Sequence, residues 1–404
     1  MSKKRSHHKI AIFLILVIIV QISFISQGSA KSPKLKNNLD SNSYVTEQKD
    51  ALDAYNIIIE RLKTGELNED IYAGAYIDGT KLIIMLTNTT DNIKNEFMSV
   101  VENPYVIDFE EARYSIKYLN EQLNETVNAL SDYPITEFGL YESKNKGFIR
   151  IEKDYYDSFV DKMPTLYSKY DIPIIFEPGE YYDMNTTMRN ESESLSDSEI
   201  ISDESYSANA VKDIRGGMNI DTSIGYATIG FCGYYGIMDA IITAGHAVSE
   251  GERTEYGSVV QRKYGNNQYG DFAIIFVDSD YKITNEICHS YWGSLSVRTV
   301  YSNVPVGTSL TAYGDKGKEI PAKVTGTNVT KTTSDTGITI HGLTQTKCDW
   351  KVVRAGDSGG PVFVSLGNYQ VAACGIIQGG NNYDEMCFVP FEHIASAFSP
   401  KTSP

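Results

Sequence analysis

From Ile214 onward the apolar residues come in short runs: "IGYATIGF", "MDAIITA", "GDFAIIFV", "GTSLTAYG", "AKVTGTNV", "PVFVSLG" and "VAACGII". Each run is too short for a stable helix. Each is also rich in β-branched or aromatic residues and is broken by glycine or another turn former. Regularly spaced short strands with turn signals between them fold as a β-sandwich or β-barrel. Only "PFEHIASAF", near the end, has helical spacing.

The segment before that half cannot fold by itself. Asn190 to Ser207, "NESESLSDSEIISDESYS", holds seven serines and six acids in 18 residues, with Leu195, Ile200, Ile201 and Tyr206 as its only large apolar side chains. So little apolar surface cannot offset the entropy of ordering a chain. Residues 190–213 are therefore expected to be an acidic, serine-rich linker open to proteolysis. Residues 31–189 read as a small α+β domain. Ala51, Tyr55, Ile58 and Leu62 recur at helical spacing, as do Ile116, Leu119, Leu123 and Leu130. Asp108 with Glu111 suggests a capping box ahead of the second helix. "AYIDGTKLIIML" reads as two strands hinged at Asp78-Gly79, and "FGLYESKNKGFIRIE" as another pair turning at Asn145 to Gly147. No histidine falls between residues 31 and 185, and nothing there assembles chemistry.

Net charge is −16, and it is uneven: 17 acidic and 14 basic residues lie from Ile214 on, against 35 and 22 before it. With a pI near 4.9 the chain repels phosphate backbones, which argues against nucleic acid as a partner. Lys3, Lys4 and Arg5, the apolar run Ile10 to Val20, and the small residues Gly28 and Ala30 make residues 1–30 an export signal. The run is short for a membrane anchor, so secretion without stable membrane insertion is expected. The five cysteines (Cys232, Cys288, Cys348, Cys374, Cys387) all follow residue 230, and their odd number leaves at least one thiol unpaired. No C-x-x-C or paired Cys/His spacing indicates zinc, and no metal site is expected.

Three stretches carry chemistry: "IITAGHAV" with His246, "YGDFAIIFV" with Asp271, and "RAGDSGGPVF" with Ser358. A serine hydroxyl becomes nucleophilic when a base takes its proton and a carboxylate holds that base in the right tautomer. The glycines beside Ser358 let the backbone aim the N–H groups of Gly356 and Ser358 at a developing oxyanion. Gly356, Ser358 and Gly360 also satisfy the G-x-S-x-G pattern of α/β-hydrolases, but those run Ser, Asp, His along the chain on a parallel sheet. Here the order is His246, Asp271, Ser358, and His393 is the only histidine after the serine. Asp278 and Asp280 compete with Asp271, whose place before an apolar strand favours it. His289, His341 and His393 read as ordinary surface or interface histidines.

"TAGH", "GDFAI" and "GDSGGPV" resemble the catalytic blocks of the chymotrypsin-like serine endopeptidases. "GLTQTKCDWKVVRAGDSGG" and "GIIQGG" are similar to the secreted bacterial branch, the streptogrisin and α-lytic protease group, over Ile214 to Phe398. That resemblance implies a mostly β fold of two antiparallel six-stranded β-barrels over residues 214–404, preceded by the α+β prosegment. It implies a triad of His246, Asp271 and Ser358, with an oxyanion hole at Gly356 and Ser358. No cofactor is needed, protein or peptide substrates are expected, and the chain's own prosegment is a partner. "IRGG" at Ile214 resembles the branch's mature start. Ala247 stands where the family has a cysteine, and Gln378 where a serine supports the aspartate. A Cys348–Cys387 bond across the specificity pocket is implied. Val352, Val353, Gln378, Gly379, Gly380 and Met386 would line an apolar pocket suited to large hydrophobic residues, unless Asp384 or Glu385 turns inward. Asp357, next to the serine, should be buried and needs a partner. The family offers either a new amine at Ile214 or an internal base, for which Lys316 and Arg354 are candidates, and the internal base is favoured. The other function classes are a non-catalytic binding module on a protease fold and an esterase.

Overall fold

The computed structural model describes residues 47–161, 173–181, 211–290, 292–333, 336–381 and 384–403. The expected export signal and positions 190–210 of the expected linker lie outside the described residues. No described helix is long and apolar enough to cross a membrane.

In the first part, helix α1 (Lys49–Lys63) buries Ala51, Leu52, Tyr55, Ile58 and Leu62 along one face. Its exposed side carries the i, i+4 pair Lys49–Asp53. Strands β1 (Tyr72–Asp78) and β2 (Lys81–Leu86) form the expected hairpin, with Asp78 opposite Lys81 and Gly79 left-handed at φ +59°. Helix α2 (Asp91–Ser99) leads to β3 (Ile107–Glu111), which lies parallel to β2. Asp108 and Glu111 are thus strand residues, and the expected capping box is not formed. Pairing with β2 claims that backbone, and helix α3 (Ile116–Ala129) starts later, where the Ser115 hydroxyl accepts from the Tyr118 amide at 3.3 Å. Strands β4 (Ile135–Tyr141) and β5 (Lys146–Glu152) turn at left-handed Asn145. Helix α4 (Lys153–Val160) and β6 (Ile174–Gly179), parallel to β5, complete this part.

The second part is strand-rich, as the glycine-punctuated runs require. It opens with β7 (Lys212–Gly216), β8 (Asn219–Asp221), β9 (Tyr226–Thr228), β10 (Cys232–Tyr235), β11 (Met238–Thr243) and β12 (Gly257–Lys263). Then come β13 (Gln268–Tyr269), β14 (Phe272–Val277), β15 (Tyr281–His289) and β16 (Gly293–Val300). The last group is β17 (Ser309–Gly314), β18 (Lys318–Thr332), β19 (Thr339–Cys348), β20 (Pro361–Gly367), β21 (Gln370–Gly380), β22 (Glu385–Pro390) and β23 (Ser399–Pro400). The helical-looking tail forms only a 3-10 turn, Phe391–His393, because Phe391, Ile394 and Phe398 are each drawn into the core.

Strands β17 to β22 close into a six-stranded antiparallel barrel in the order β17-β18-β19-β22-β21-β20 and back to β17. Ahead of it, β12-β14-β11-β10-β23 form an antiparallel sheet. Together with β7, β8, β9 and β15 that sheet encloses a core of Ile214, Ile220, Ile229, Ile241, Val259, Ile275 and Ile283. Strand β7 begins at Lys212, two residues before the expected start of this half, and pairs in parallel with β15.

The two parts share a sheet and a core. β4 pairs antiparallel with β18, placing Leu140 opposite Thr327 and Glu137 opposite Lys331, so β4, β5 and β6 continue the barrel wall. Leu52, Tyr55, Ile77 and Leu82 pack in one cluster with Tyr301, Val304, Leu310 and Val324. Tyr301 donates to Asp53 at 2.6 Å, and the Ser309 amide donates to the Gln48 side chain at 3.0 Å.

Candidate active site

His246 sits on a 3-10 turn, Gly245–Ala247, immediately beyond β11. Asp271 sits immediately before β14, after a turn at Gly270 (φ +82°). Because β11 and β14 pair with Thr243 opposite Ala273, strand register alone brings the two side chains to one edge of the sheet. Gly245 clears the space between them: a Cβ there would lie 2.9 Å from Asp271 Oδ1.

Asp271 is fully buried and grips the histidine twice. Its Oδ1 accepts the His246 amide at 2.9 Å, and its Oδ2 lies 2.6 Å from Nδ1. On the other side of the ring, Nε2 lies 3.0 Å from Ser358 Oγ. The expected trio is therefore in contact end to end. Asp278 is engaged elsewhere, paired with Arg253.

The loop carrying Ser358 is tied both to β9 and to the six-stranded barrel. The Thr228 amide donates to the Ser358 carbonyl at 2.9 Å, and its hydroxyl donates to the Gly356 carbonyl at 2.6 Å. On the barrel side, the Gly359 amide donates to Ile377 and the Ile377 amide to Gly360, both at 2.8 Å. Gly356 and Gly359 are left-handed, at φ +89° and +87°. The Asp357 amide donates to Arg354 and the Gly360 amide to Asp357. Among the described residues, the amides of Gly356 and Ser358 donate to no acceptor. Sequence reading did not single out Thr228; in "YATIG" nothing distinguishes it from any strand threonine.

Asp357 is buried as expected, but its partner differs. Its carboxylate accepts main-chain N–H groups from Lys316 (2.8 Å), Gly317 (2.9 and 3.0 Å) and Arg354 (2.8 Å). The two named bases hold it through their backbones, while the Lys316 ammonium pairs with Asp315 at 3.0 Å and Arg354 is exposed. Ile214 is enclosed in the other core. The carboxylate lies against Gly314, where a Cβ would fall 2.1 Å from its Cγ, so an amide cradle replaces a bulky side-chain partner. Burial pushes the Asp357 carboxyl above its usual range, against the pull of the amides.

Of the expected pocket residues, Val353, Met386 and Gly380 come together. Val353 and Met386 share a cluster with Ile377 and Phe388, and a Cβ on Gly380 would meet Val353 Cβ at 3.1 Å. Gly379 pairs with Cys387 and Gly380 with Met386 across β21 and β22. Gln378 is buried, whereas Val352 is half-buried at the edge. Neither nearby acid turns into this apolar cluster. Asp384 pairs with Lys347 at 3.2 Å, and Glu385 faces Arg150 and Lys331, both at 3.4 Å.

The implied Cys348–Cys387 bond is not formed; all five cysteines are free thiols. Strand register explains it. Cys387 lies opposite Gln345, three positions from Cys348 on β19, a separation of about 10 Å where a disulfide needs about 6 Å between Cα atoms. Burial pushes both thiols up to about 12. Among the described residues no group of histidines, cysteines and acids could hold a metal.

No protein-family model and no curated protein matches the chain. Solved bacterial serine proteases are similar to it in structure. Thermobifida fusca protease A matches at 22% identity with a TM-score of 0.41, covering 47% of this chain and 100% of its own. Cellulomonas bogoriensis chymotrypsin matches at 22% and 0.39, with 47% and 100% covered. Nocardiopsis protease matches at 22% and 0.40, with 46% and 98% covered.

Proposed function

We propose that this chain is the precursor of a secreted serine endopeptidase in which Ser358 attacks the substrate carbonyl. The observation that carries the proposal is the in-line contact from Asp271 Oδ2 to His246 Nδ1 (2.6 Å) and from Nε2 to Ser358 Oγ (3.0 Å). In this scheme Nε2 takes the hydroxyl proton as the Oγ–carbon bond forms, then delivers it to the leaving amine as the carbon–nitrogen bond breaks. Asp271 holds the ring so that Nε2 faces the serine, and stabilises the imidazolium between those steps. The Gly356 and Ser358 amides receive the oxyanion. Water then enters by the same route, with His246 again as base, and releases the acid.

The apolar meeting of Val353 and Met386, with both nearby acids engaged elsewhere, supports a preference for large hydrophobic residues before the cut. A charged guest there would lose hydration without gaining a partner. Residues 31–189 act as a prosegment, and the residue 1–30 signal directs export. Self-cleavage within the acidic linker frees the enzyme.

A serine-directed phosphonate tests the proposal. The processed protein should gain one adduct, on Ser358, and lose all peptide hydrolysis, while Ser358→Ala should accumulate as an uncut precursor. No adduct on Ser358 would favour the non-catalytic binding module. Normal trimming of pure Ser358→Ala would sink self-processing.

A further inference from the structure

The stretch that ends at Ser358 touches two different surfaces. At its start Val353 lies against Gly380, the pocket wall. At its end Gly356 lies against Lys316 and Tyr226: a Cβ on this glycine would stand 3.6 Å from Lys316 Cγ and 3.7 Å from Tyr226 Cβ. A peptide whose acyl side fills the pocket, with its carbonyl at the Gly356 and Ser358 amides, sends its leaving-group side past these two side chains. That placement rests on the peptidase reading above.

This surface is cationic. The Lys316 ammonium lies 5.6 Å from the centre of the Tyr226 ring, which steadies it over an aromatic face. Asp315 is its direct partner at 3.0 Å and is shared with Lys318 at 3.4 Å. The remaining acid, Asp357, is buried and taken up by main-chain amides. Arg354 is exposed on the same loop. Lys316 and Lys318 thus share one part-exposed carboxylate, and Tyr226, more than half exposed, leaves the approach open.

The chain's own linker carries a matching pattern twice. Leu195-Ser196-Asp197 and Ile201-Ser202-Asp203 each place an aspartate two residues after a large apolar one. An extended peptide advances about 3.3 Å per residue, so the second residue past the cut lies about 7 Å beyond the reacting carbonyl, within reach of a lysine rooted beside Gly356. We infer that the leaving-group side of the cleft, built by Lys316 and Tyr226, selects a carboxylate two residues beyond the scissile bond. The preferred substrates are then large apolar residues followed by a small residue and an acid. Leu195–Ser196 and Ile201–Ser202 are the bonds cut in the chain itself.

The test uses quenched peptides that copy the linker, with Asp, Asn or Lys at the second leaving-side position, and the enzyme released from the whole chain. For an exposed charge pair the expected kcat/KM ratios are roughly threefold for Asp over Asn and roughly tenfold for Asp over Lys. The preference should shrink as salt is raised. It should nearly vanish in Lys316→Gln and invert in Lys316→Glu. Each ratio is taken within one enzyme, so a variant's overall activity drops out. Equal rates for the three peptides, or an unchanged preference in Lys316→Gln, would overturn the inference and leave the peptidase reading intact. Failure to cut any peptide, or a nitroanilide with no leaving-side residue, would instead overturn the peptidase reading and this inference with it.

Discussion

Arg150 lies 3.4 Å from Glu385, although 235 positions separate them in the chain. The same guanidinium is 2.7 Å from Glu137 and 3.2 Å from Glu177, while Lys331 stands 3.5 Å from Glu137 and 3.4 Å from Glu385. Gln345 bridges Glu137 and Glu385 from the barrel side. The β4–β6 extension and the barrel therefore each hold a cation against the other's acid, in a place where an unmatched charge is costly.

Removing Arg150 should loosen this junction. Arg150→Ala leaves Glu137 and Glu385 to Lys331, takes the guanidinium away from Glu177, and should cost about 2–4 kcal/mol. Denaturant unfolding of the uncut Ser358→Ala precursor measures it. Adding Glu385→Gln should recover part of the loss, since the two changes act on one network. Additive losses would show that the pair is not coupled.

Gly359 is expected to tolerate no side chain. A Cβ there would lie 2.2 Å from Thr243 Oγ1 and 2.6 Å from the Ala244 amide, and φ +87° disfavours any L-residue. Gly359→Ala must push the Ser358 loop off the end of β11, the strand that leads into the His246 turn. A misplacement near 1 Å costs on the order of 100-fold in rate, so kcat should fall at least that far while the protein still folds. Circular dichroism beside kcat separates the two effects, and activity within tenfold of the parent would count against this geometry.

Much of this arrangement is legible in local sequence. "TAGH", "GDF" and "GDSGG" are local signals, and each names its own residue. The strand runs after Ile214 announced the β class, and the β17–β22 barrel follows from them. What stayed hidden depends on distant pairing. Asp108 and Glu111 have the spacing of a helix cap, yet their backbone is claimed by β2. Cys348 and Cys387 are offset by three strand positions that no linear spacing reveals. Lys316 and Arg354 are candidate partners through their basic side chains, whereas Asp357 takes only their amides. Arg150 did carry a faint mark, a lone base between the apolar residues of "GFIRIE".

Glu142 should make the full chain's stability depend on pH. It is buried where β1, the β4–β5 turn and β18 meet, accepting the Thr327 hydroxyl and, at 3.3 Å, the Ala75 amide. Burial pushes its carboxyl above the ordinary range. A raised folded value means the folded state holds the proton more tightly. The contribution is then complete below the unfolded carboxyl value, about 4.3, and is lost as pH rises through the raised one. Glu142→Gln keeps an acceptor and removes the charge. The full-length variant should unfold at higher denaturant than the parent near pH 8, and the gap should close towards pH 4. A gap that widens on acidification would mean the sign is wrong.

If the chain is the peptidase precursor proposed above, the start of the mature enzyme should be permissive. Asp357 is already satisfied by four amide contacts from three residues, and Ile214 is locked in β7 beneath Cys232 and Thr284, whose side chains both donate to its carbonyl. A free amine at Ile214 would have to leave that strand and enter a cradle with no room, since Cβ atoms on Gly314 and Gly317 would already collide with the carboxylate. Cutting after Asp213 would also split the pairing of Lys212 and Asp213 with Tyr281 and Lys282. Enzymes released to begin at Ser202, Val211 or Lys212 should therefore share the same kcat/KM within about twofold, because nothing at the active site reads their first residue. Placing a cleavable tag directly before Ser202, Val211, Lys212 or Ile214 and removing it measures this. Activity that appears only when Ile214 is the first residue would show that the amine, not the amide cradle, sets the oxyanion loop.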